Sequence, residues 1–148
     1  MNNIVLRNVE INWPFLGHVN NTPEFGSGKY EITVLMTPEQ ASELQGKISP
    51  KQKIKDTEDG RKRLTLKSTM PPMVKGPDGL IWTPEKLDKV GNGTVANVLV
   101  NLFESRGSVF AGLGKVLLKT VKEYQAGNSF ADLEDEDTQD GFDGLEDD

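Results

Sequence analysis

The sequence of 148 residues contains no cysteine and a single histidine, His18. The lack of cysteine excludes disulfide bonds and thiolate metal sites, and one histidine cannot assemble a histidine-based metal cluster. No apolar stretch approaches the ~20 residues that a membrane helix needs. The N-terminal segment has no basic region followed by a long apolar run, so we expect no signal peptide. These absences predict a protein with no metal site, no disulfide and no membrane segment.

Recognisable catalytic motifs are missing as well. The segment from Gly112 to Lys115 superficially resembles a phosphate-binding loop, but Val109 stands where the first glycine is required. Val116 stands where Ser or Thr would bind magnesium. Carboxylate pairs are abundant only in the last 18 residues, where nothing is expected to hold their geometry. We therefore predict no catalytic residues, no cofactor and no enzymatic activity.

What the sequence does contain is a pronounced asymmetry of charge. Its net charge is −6, yet residues 131–148 carry ten acids and no base. The other 13 acids face all 17 basic residues in residues 1–130, so this part has a charge of about +4. A basic body joined to an acidic end is typical of proteins that bind nucleic acid.

The apolar pattern of the body is that of short strands. Apolar and polar residues alternate over residues 29–36, 61–69 and 94–104, and β-branched residues are frequent in residues 3–11. Residues 108–124 are expected to return as a strand after a turn at Arg106-Gly107, with Gly112 and Gly114 where a barrel strand bends. Thr37, Pro38 and Gln40 form the pattern of a helix N-terminus with a capping box. Trp13-Pro14-Phe15 is expected to end the first strand.

About five short strands, glycine-rich turns and one short helix favour a mainly β fold, a small five-stranded OB-fold-like barrel. We assign residues 1–125 to this domain. Residues 126–148 have high charge and no periodicity, so we predict a disordered acidic interaction tail.

The most informative stretch runs from Lys47 to Lys75. It carries nine basic residues against three acids, a net charge of about +6. Arg61, Arg63 and Lys67 fall on one strand face, so their charges converge, as in sites for a phosphate backbone. A solvated outer face is an equally plausible interpretation of the run alone. The candidate basic contacts are Lys53, Lys55, Arg61, Arg63, Lys67, Lys75 and, in the last hairpin turn, Arg106.

Aromatic residues supply the second component of a site for single strands, because their rings stack on bases. Phe103 falls on the polar face of its strand with Asn97 and Asn101, close to Arg106, and is a candidate stacking platform. Trp13 and Trp82 lie beside prolines in predicted loops. Each is either a lid over the core or a DNA contact, and Trp82 is included among the candidate contacts.

The acidic end contains four large apolar residues spaced among its acids: Phe130, Leu133, Phe142 and Leu145. A segment that only solubilises the protein has no need of them. Acids interleaved with apolar anchors suit docking into a basic groove with an apolar floor on a partner protein. The same segment could also occupy the protein's own DNA site as a phosphate mimic.

Three blocks of the sequence together resemble the OB-fold single-stranded-DNA-binding proteins of tailed bacteriophages, notably the replication type of short-tailed phages. They are residues 28–38, with Gly28-Lys29-Tyr30-Glu31-Ile32-Thr33-Val34 and Thr37-Pro38, residues 63–67, Arg63-Leu64-Thr65-Leu66-Lys67, and residues 91–113. The resemblance implies base stacking by an aromatic near the closing hairpin, a position that matches Phe103. It also implies that the acidic tail contacts a phage DNA polymerase, helicase-primase or recombination protein.

The leading hypothesis is sequence-independent binding of single-stranded DNA in phage DNA replication or recombination, in the cytoplasm of the infected bacterial host. In this hypothesis the tail recruits replication partners and competes with DNA. The alternative is a protein-interaction or inhibitory module whose acidic segment mimics DNA. The body charge of about +4 favours the first. The sequence leaves open whether the protein forms a homodimer.

Overall fold

The structure, a computed structural model, describes residues 3–24 and 26–123. In chain order the elements are β1 (Ile4–Phe15), β2 (Tyr30–Met36), α1 (Pro38–Gln45), β3 (Lys55–Asp56), β4 (Lys62–Ser68), β5 (Val74–Lys75), α2 (Pro84–Leu87), β6 (Thr94–Ser105) and β7 (Ser108–Thr120). The predicted mainly β fold class is confirmed.

The seven strands form one sheet in the order β3-β4-β2-β1-β6-β7-β5. Neighbouring strands are antiparallel, except that β5 runs parallel to β7. Although β4 and β7 are not hydrogen-bonded neighbours, they contact each other, so the sheet curls into a barrel of OB-like form. The predicted five strands are the long ones, and the structure adds β3 and β5. These two-residue strands are too short to show alternation in a sequence.

Apolar residues on alternate positions of the long strands fill the interior. Ile32, Val34 and Met36 of β2 are fully buried, as are Val98 and Val100 of β6. These residues belong to the apolar faces that the alternating sequence pattern gives to the two strands. The outward face of β4 carries Arg63, Thr65 and Lys67, while Leu64 and Leu66 point into the core.

The helix α1 begins as its sequence predicts. The side chain of Thr37 accepts a hydrogen bond from the Gln40 amide at 3.1 Å, and the Gln40 side chain accepts one from the Thr37 amide at 3.0 Å. This reciprocal capping box satisfies two amide groups that a helix start leaves unpaired. The four-residue helix α2 was not predicted.

The expected end of the first strand at Trp13 is wrong. The strand continues to Phe15 through a bulge between Asn12 and Phe15, where its register against β2 shifts. Trp13 takes a positive φ of 49° at this bulge, which accommodates Pro14 without ending the strand. Proline is tolerated at bulges because the ladder is already interrupted there.

The predicted acidic tail, residues 126–148, lies outside the described residues, as do its candidate anchors Phe130, Leu133, Phe142 and Leu145. Its boundary with the barrel therefore stays a prediction. Among the residues that the structure describes, neither helix has the length and apolar character needed to cross a membrane.

Candidate nucleic-acid interface

A cleft of about 490 Å³ opens on the barrel surface where β4 approaches β7. Its lining combines six cations, two aromatic rings and no acid. The lining residues are Lys29, Lys51, Gln52, Lys53, Lys55, Arg63, Leu64, Thr65, Lys67, Phe103, Phe110 and Ala111. Of the predicted contacts, the structure brings Lys53, Lys55, Arg63, Lys67 and Phe103 together here.

Two strands set the spacing of the basic residues. Arg63 and Lys67 both project from the outward face of β4. On the adjoining edge strand, Lys55 is the register partner of Arg63. Lys29 immediately precedes β2, whose residue Glu31 pairs with Lys67. The cations therefore follow the edge of the sheet in a row, a geometry suited to a chain of phosphates.

The loop between α1 and β3 forms the opposite wall, and it is fixed to β7 by hydrogen bonds. The side-chain nitrogen Nε2 of Gln52 donates a hydrogen bond to the Ala111 carbonyl at 2.8 Å. The main-chain amide of Ala111 donates one to the side-chain oxygen Oε1 of Gln52 at 2.7 Å. The Ser49 amide donates to the Val109 carbonyl at 2.7 Å. Lys51 and Lys53, on either side of Gln52, are held at the cleft because the loop is anchored at these points.

The aromatic part of the cleft comes from the β6–β7 hairpin. Phe103 and Phe110 are register partners, and their ring centroids lie 6.0 Å apart at an angle of 34°. A Cβ atom added at Gly112 would lie 3.1 Å from the Phe103 ring and 3.3 Å from the Lys67 carbonyl oxygen. The glycine thus allows the ring and β4 to approach β7 closely. Phe103 remains 49% exposed, so much of its surface is accessible to a stacking base.

Arg61, also a predicted contact, is engaged elsewhere. Its guanidinium lies 2.8 Å from a Glu10 carboxylate oxygen and 2.7 Å from one of Asp59. Hydrogen bonds from Arg61 and Thr57 hold the pKa of Asp59 well below its usual range, and the carboxylates of Asp59 and Glu10 raise the pKa of Arg61. Arg61 is not among the residues that line the cleft. A phosphate that reached it would have to compete with both carboxylates.

The remaining three predicted contacts also lie away from the cleft lining. Lys75 is in β5, where it pairs with Leu117 of β7, and it is not among the residues that line the cleft. Trp82 packs partly buried against the core, and its ring nitrogen donates to Asp78 at 3.1 Å. The Lys86 ammonium lies 4.5 Å from the centroid of the Trp82 ring. Arg106 is exposed in the β6–β7 turn with a φ of 54°.

Seven lining residues were not among the predicted contacts: Lys29, Lys51, Gln52, Leu64, Thr65, Phe110 and Ala111. Lys51 belongs to the basic stretch, and Lys29 lies on the polar face of the strand predicted for residues 29–36. Their positive charge could therefore have marked them as candidate phosphate contacts. Phe110 becomes part of the site because β6 and β7 pair it with Phe103. The role of Gln52 depends on a contact across 59 residues of sequence, which no local pattern shows.

No group of three or more potential metal ligands of the His, Cys, Asp or Glu type occurs in residues 3–24 and 26–123. His18 lies against Asp88, with 2.7 Å between Nδ1 and Oδ1. The segment Gly112 to Lys115, which superficially resembled a phosphate loop, is part of strand β7. The described residues thus offer basic and aromatic groups for binding.

No protein-family model matches the chain, and no curated protein matches it. Among solved structures it is similar to the single-stranded DNA-binding protein of bacteriophage Enc34 in complex with single-stranded DNA, with a TM-score of 0.63 and 19% identity over 82% of this chain and 88% of that one. It is also similar to gp2.5, a single-stranded DNA-binding protein encoded by bacteriophage T7, with a TM-score of 0.62 and 12% identity over 87% of this chain and 97% of that one. The chain therefore has the OB-like fold found in single-stranded DNA-binding proteins of bacteriophages.

Proposed function

We propose that the protein binds single-stranded DNA, without sequence preference, in the cleft between β4, β7 and the loop preceding β3. The observation that carries the proposal is the convergence of six cations and the Phe103–Phe110 pair in one cleft without an acid in its lining. Lysine and arginine neutralise phosphates, while exposed rings stack on bases. The similar solved structures are of single-stranded DNA-binding proteins, one of them in complex with single-stranded DNA, and they support this assignment.

The arrangement favours a single strand over a duplex. A ring can stack on a base only when the face of that base is free, and in a duplex both faces are covered by neighbouring base pairs. Phe103 is half-exposed and lies within strand β6. In OB-folds, oligonucleotides bind on the face of the second and third long strands and beside the loops at the ends of the barrel. Here these strands are β2 and β4, and β4 lines the cleft.

The absence of sequence preference follows from the polar groups in the lining. Base recognition depends on side chains that can pair with base edges, typically Asn, Gln or Arg. The Gln52 amide is already engaged through its oxygen and its nitrogen with Ala111. Five of the six cations are lysines, which contact phosphate as point charges. Contacts to phosphates and stacked bases carry little sequence information.

Binding of fluorescent oligonucleotides, measured by anisotropy, tests the proposal. We expect single strands to bind in preference to duplex of equal length, with affinity falling steeply as salt rises. Lys67→Ala should weaken binding, whereas Lys115→Ala, which removes the same charge from the exposed face of β7 outside the cleft, should leave affinity nearly unchanged. Equal losses from both variants, or equal affinity for duplex, would contradict the proposed site.

We further propose that the protein acts in phage DNA replication or recombination, in the cytoplasm of an infected bacterium. The acidic segment 126–148 would recruit a polymerase, helicase-primase or recombination protein through Phe130, Leu133, Phe142 and Leu145. The alternation of acids and large apolar residues in this segment supports such docking. A pull-down from infected cells with and without residues 131–148 tests it, and recovery of the same replication proteins by both forms would refute it.

A further inference from the structure

Trp13 is an exposed aromatic residue outside the proposed binding cleft. Its side chain is 53% exposed, and its backbone has a φ of 49°. Bulky residues rarely adopt this left-handed region, since the Cβ atom crowds the backbone there. Because about half of its surface is exposed, Trp13 contributes little to the packing of the core. Backbone strain of this kind is concentrated at functional sites.

Hydrogen bonds to the side-chain oxygens of two asparagines maintain the strained conformation. The Trp13 amide donates to the Asn92 side-chain oxygen at 2.5 Å, and the Gly93 amide donates to the Asn12 side-chain oxygen at 3.0 Å. The bulge of β1 is thereby joined to the turn that precedes β6. Because of these two hydrogen bonds, the indole of Trp13 is attached to a fixed strand backbone and not to a connecting loop.

The sheet register places this bulge beside the cleft. Phe15 pairs with Glu31, and Glu31 pairs with Lys67, which lines the cleft. Adjacent strands lie about 4.8 Å apart, so the end of β1 is roughly 10 Å from the Lys67 backbone. This separation can be spanned by a few nucleotides of one strand. Since Glu31 repels phosphates, the crossing over β2 requires bases rather than phosphates to face the sheet.

A cation lies next to the bulge as well. A Cβ atom added at Gly93 would lie 3.0 Å from the Lys122 side chain, so this lysine covers the turn whose Asn92 holds Trp13. Lys122 is exposed. An exposed ring with a neighbouring ammonium group repeats, on a smaller scale, the combination of stacking and charge that the cleft provides.

We propose that Trp13 stacks on a second base of the same DNA strand that occupies the cleft, a few nucleotides from Phe103, with Lys122 beside the adjoining phosphate. The inference rests on the proposed function and extends the binding surface from β4 and β7 across β2 to β1. It predicts that only strands long enough to leave the cleft reach Trp13.

Tryptophan fluorescence provides a direct test, because Trp13 and Trp82 are the two tryptophans of the chain. The full-length Trp82→Phe variant is titrated with oligothymidylates of roughly 4, 8, 12 and 16 nucleotides, which cover the size range of OB-fold sites. The fluorescence of Trp13 is followed, and anisotropy of the same oligonucleotides measures binding independently. We expect quenching of Trp13 to be small with the shortest strand and large with the longer ones. The matched variant Trp13→Phe, which retains Trp82 outside the cleft, should show little quenching at any length.

Affinity gives a second readout that does not depend on fluorescence. Trp13→Ala should weaken binding of the longer strands by about 5- to 100-fold and leave the shortest strand unaffected. Phe103→Ala should weaken binding at every length. Trp13→Gly should reduce affinity in the same way and melt no lower than Trp13→Ala, since glycine adopts a positive φ without strain. This comparison separates loss of stacking from loss of the fold.

The outcomes distinguish this inference from the proposed function. Strong binding by anisotropy with unchanged Trp13 fluorescence and no effect of Trp13→Ala would refute the Trp13 contact and leave the cleft intact. An equal loss at all lengths would place Trp13 in the primary site and also refute the inference. Absence of binding by the unmodified protein would refute both proposals.

Discussion

The side chain of Gln52 pairs with the main chain of Ala111 as a neighbouring strand would, donating one hydrogen bond of 2.8 Å and accepting another of 2.7 Å. This contact fixes the loop that carries Lys51 and Lys53 against β7. Together with the Ser49–Val109 hydrogen bond, one neutral residue thus helps to position two lysines of the proposed binding cleft.

Gln52→Ala is therefore expected to weaken binding of single-stranded DNA although it removes no charge. The Ala111 amide and carbonyl lose their partners, which costs about 1–3 kcal/mol of stability where water cannot replace them. With the loop released, Lys51 and Lys53 contribute less, so the dependence of affinity on salt should also become shallower. Anisotropy titrations at several salt concentrations, with a urea melt of the same variant, measure both effects. An unchanged salt slope would show that the loop keeps its lysines in place without Gln52.

Phe103→Ala is expected to reduce affinity by about 1–3 kcal/mol, the loss of one stacked base. The fold should survive, because Phe103 is half-exposed. Thermal melting and anisotropy on the same preparation distinguish these effects. A melting temperature lowered by many degrees, with unchanged affinity per folded molecule, would instead assign Phe103 to the core.

Arg63 and Arg61 provide a matched pair, since they stand two residues apart and differ in their partners. Arg63→Ala should cost less affinity than Phe103→Ala and should reduce the slope of log affinity against log salt by about 0.7, the contribution of one phosphate. Arg61→Ala should change this slope little, because its charge faces Glu10 and Asp59. A larger change in slope for Arg61→Ala would place the DNA path along the start of β4.

Much of the barrel and part of the cleft could be predicted from the sequence, because they depend on local patterns. Alternation predicted the inward face of β2, and the clustered charge pointed to Lys53, Lys55, Arg63 and Lys67, which the structure places in the lining of the cleft. The positions that were missed depend on pairing over long distances in the sequence. Phe110 joins the site through the register of β6 with β7.

Arg61 is the opposite case, a residue that the sequence suggested as a contact but that does not line the cleft. Its place in the basic stretch suggested a phosphate contact, but the fold brings Glu10, 51 residues earlier in the sequence, to its guanidinium. The sequence pattern shows which residues share a face of one strand. It does not show which acid the fold brings to one of them from a distant part of the sequence.

The hydrogen bonds between Asp59 and Arg61 predict a specific dependence of stability on pH. Arg61 and then Thr57 lower the pKa of Asp59 in the folded protein, so its contribution to stability is complete above the unfolded value of about 3.9. This contribution is lost as the pH falls through the lowered folded pKa. Asp59→Asn should therefore be less stable than the unmodified protein at neutral pH.

The difference in the free energy of unfolding between Asp59→Asn and the unmodified protein should shrink as the pH falls below about 4. Urea midpoints at neutral pH and at successively lower values measure it. A difference that is constant over this range would mean that the carboxylate charge contributes nothing, and that the variant acts through its changed hydrogen bonds alone.

Removal of residues 131–148, which carry ten acids and no base, is expected to strengthen binding of single-stranded DNA at low salt. A tethered segment has an effective concentration on the order of millimolar near its own domain. Weak attraction to the six cations of the cleft is then sufficient for competition with DNA. Salt screens the attraction of the cleft both for these acids and for DNA, so the gain from truncation should decrease as the salt concentration rises.

A double substitution separates this competition from the recruitment of partners. Phe142→Ala with Leu145→Ala preserves every charge, so DNA affinity should match that of the unmodified chain, while binding of a replication partner should be lost because two of the four apolar anchors are gone. Truncation removes acids and anchors together and should therefore alter both properties. The comparison is made by anisotropy at two salt concentrations and by pull-down with the three proteins side by side. Unchanged DNA affinity after truncation at low salt would mean that the acidic segment does not compete for the cleft, and only its proposed contact with a partner would then stand.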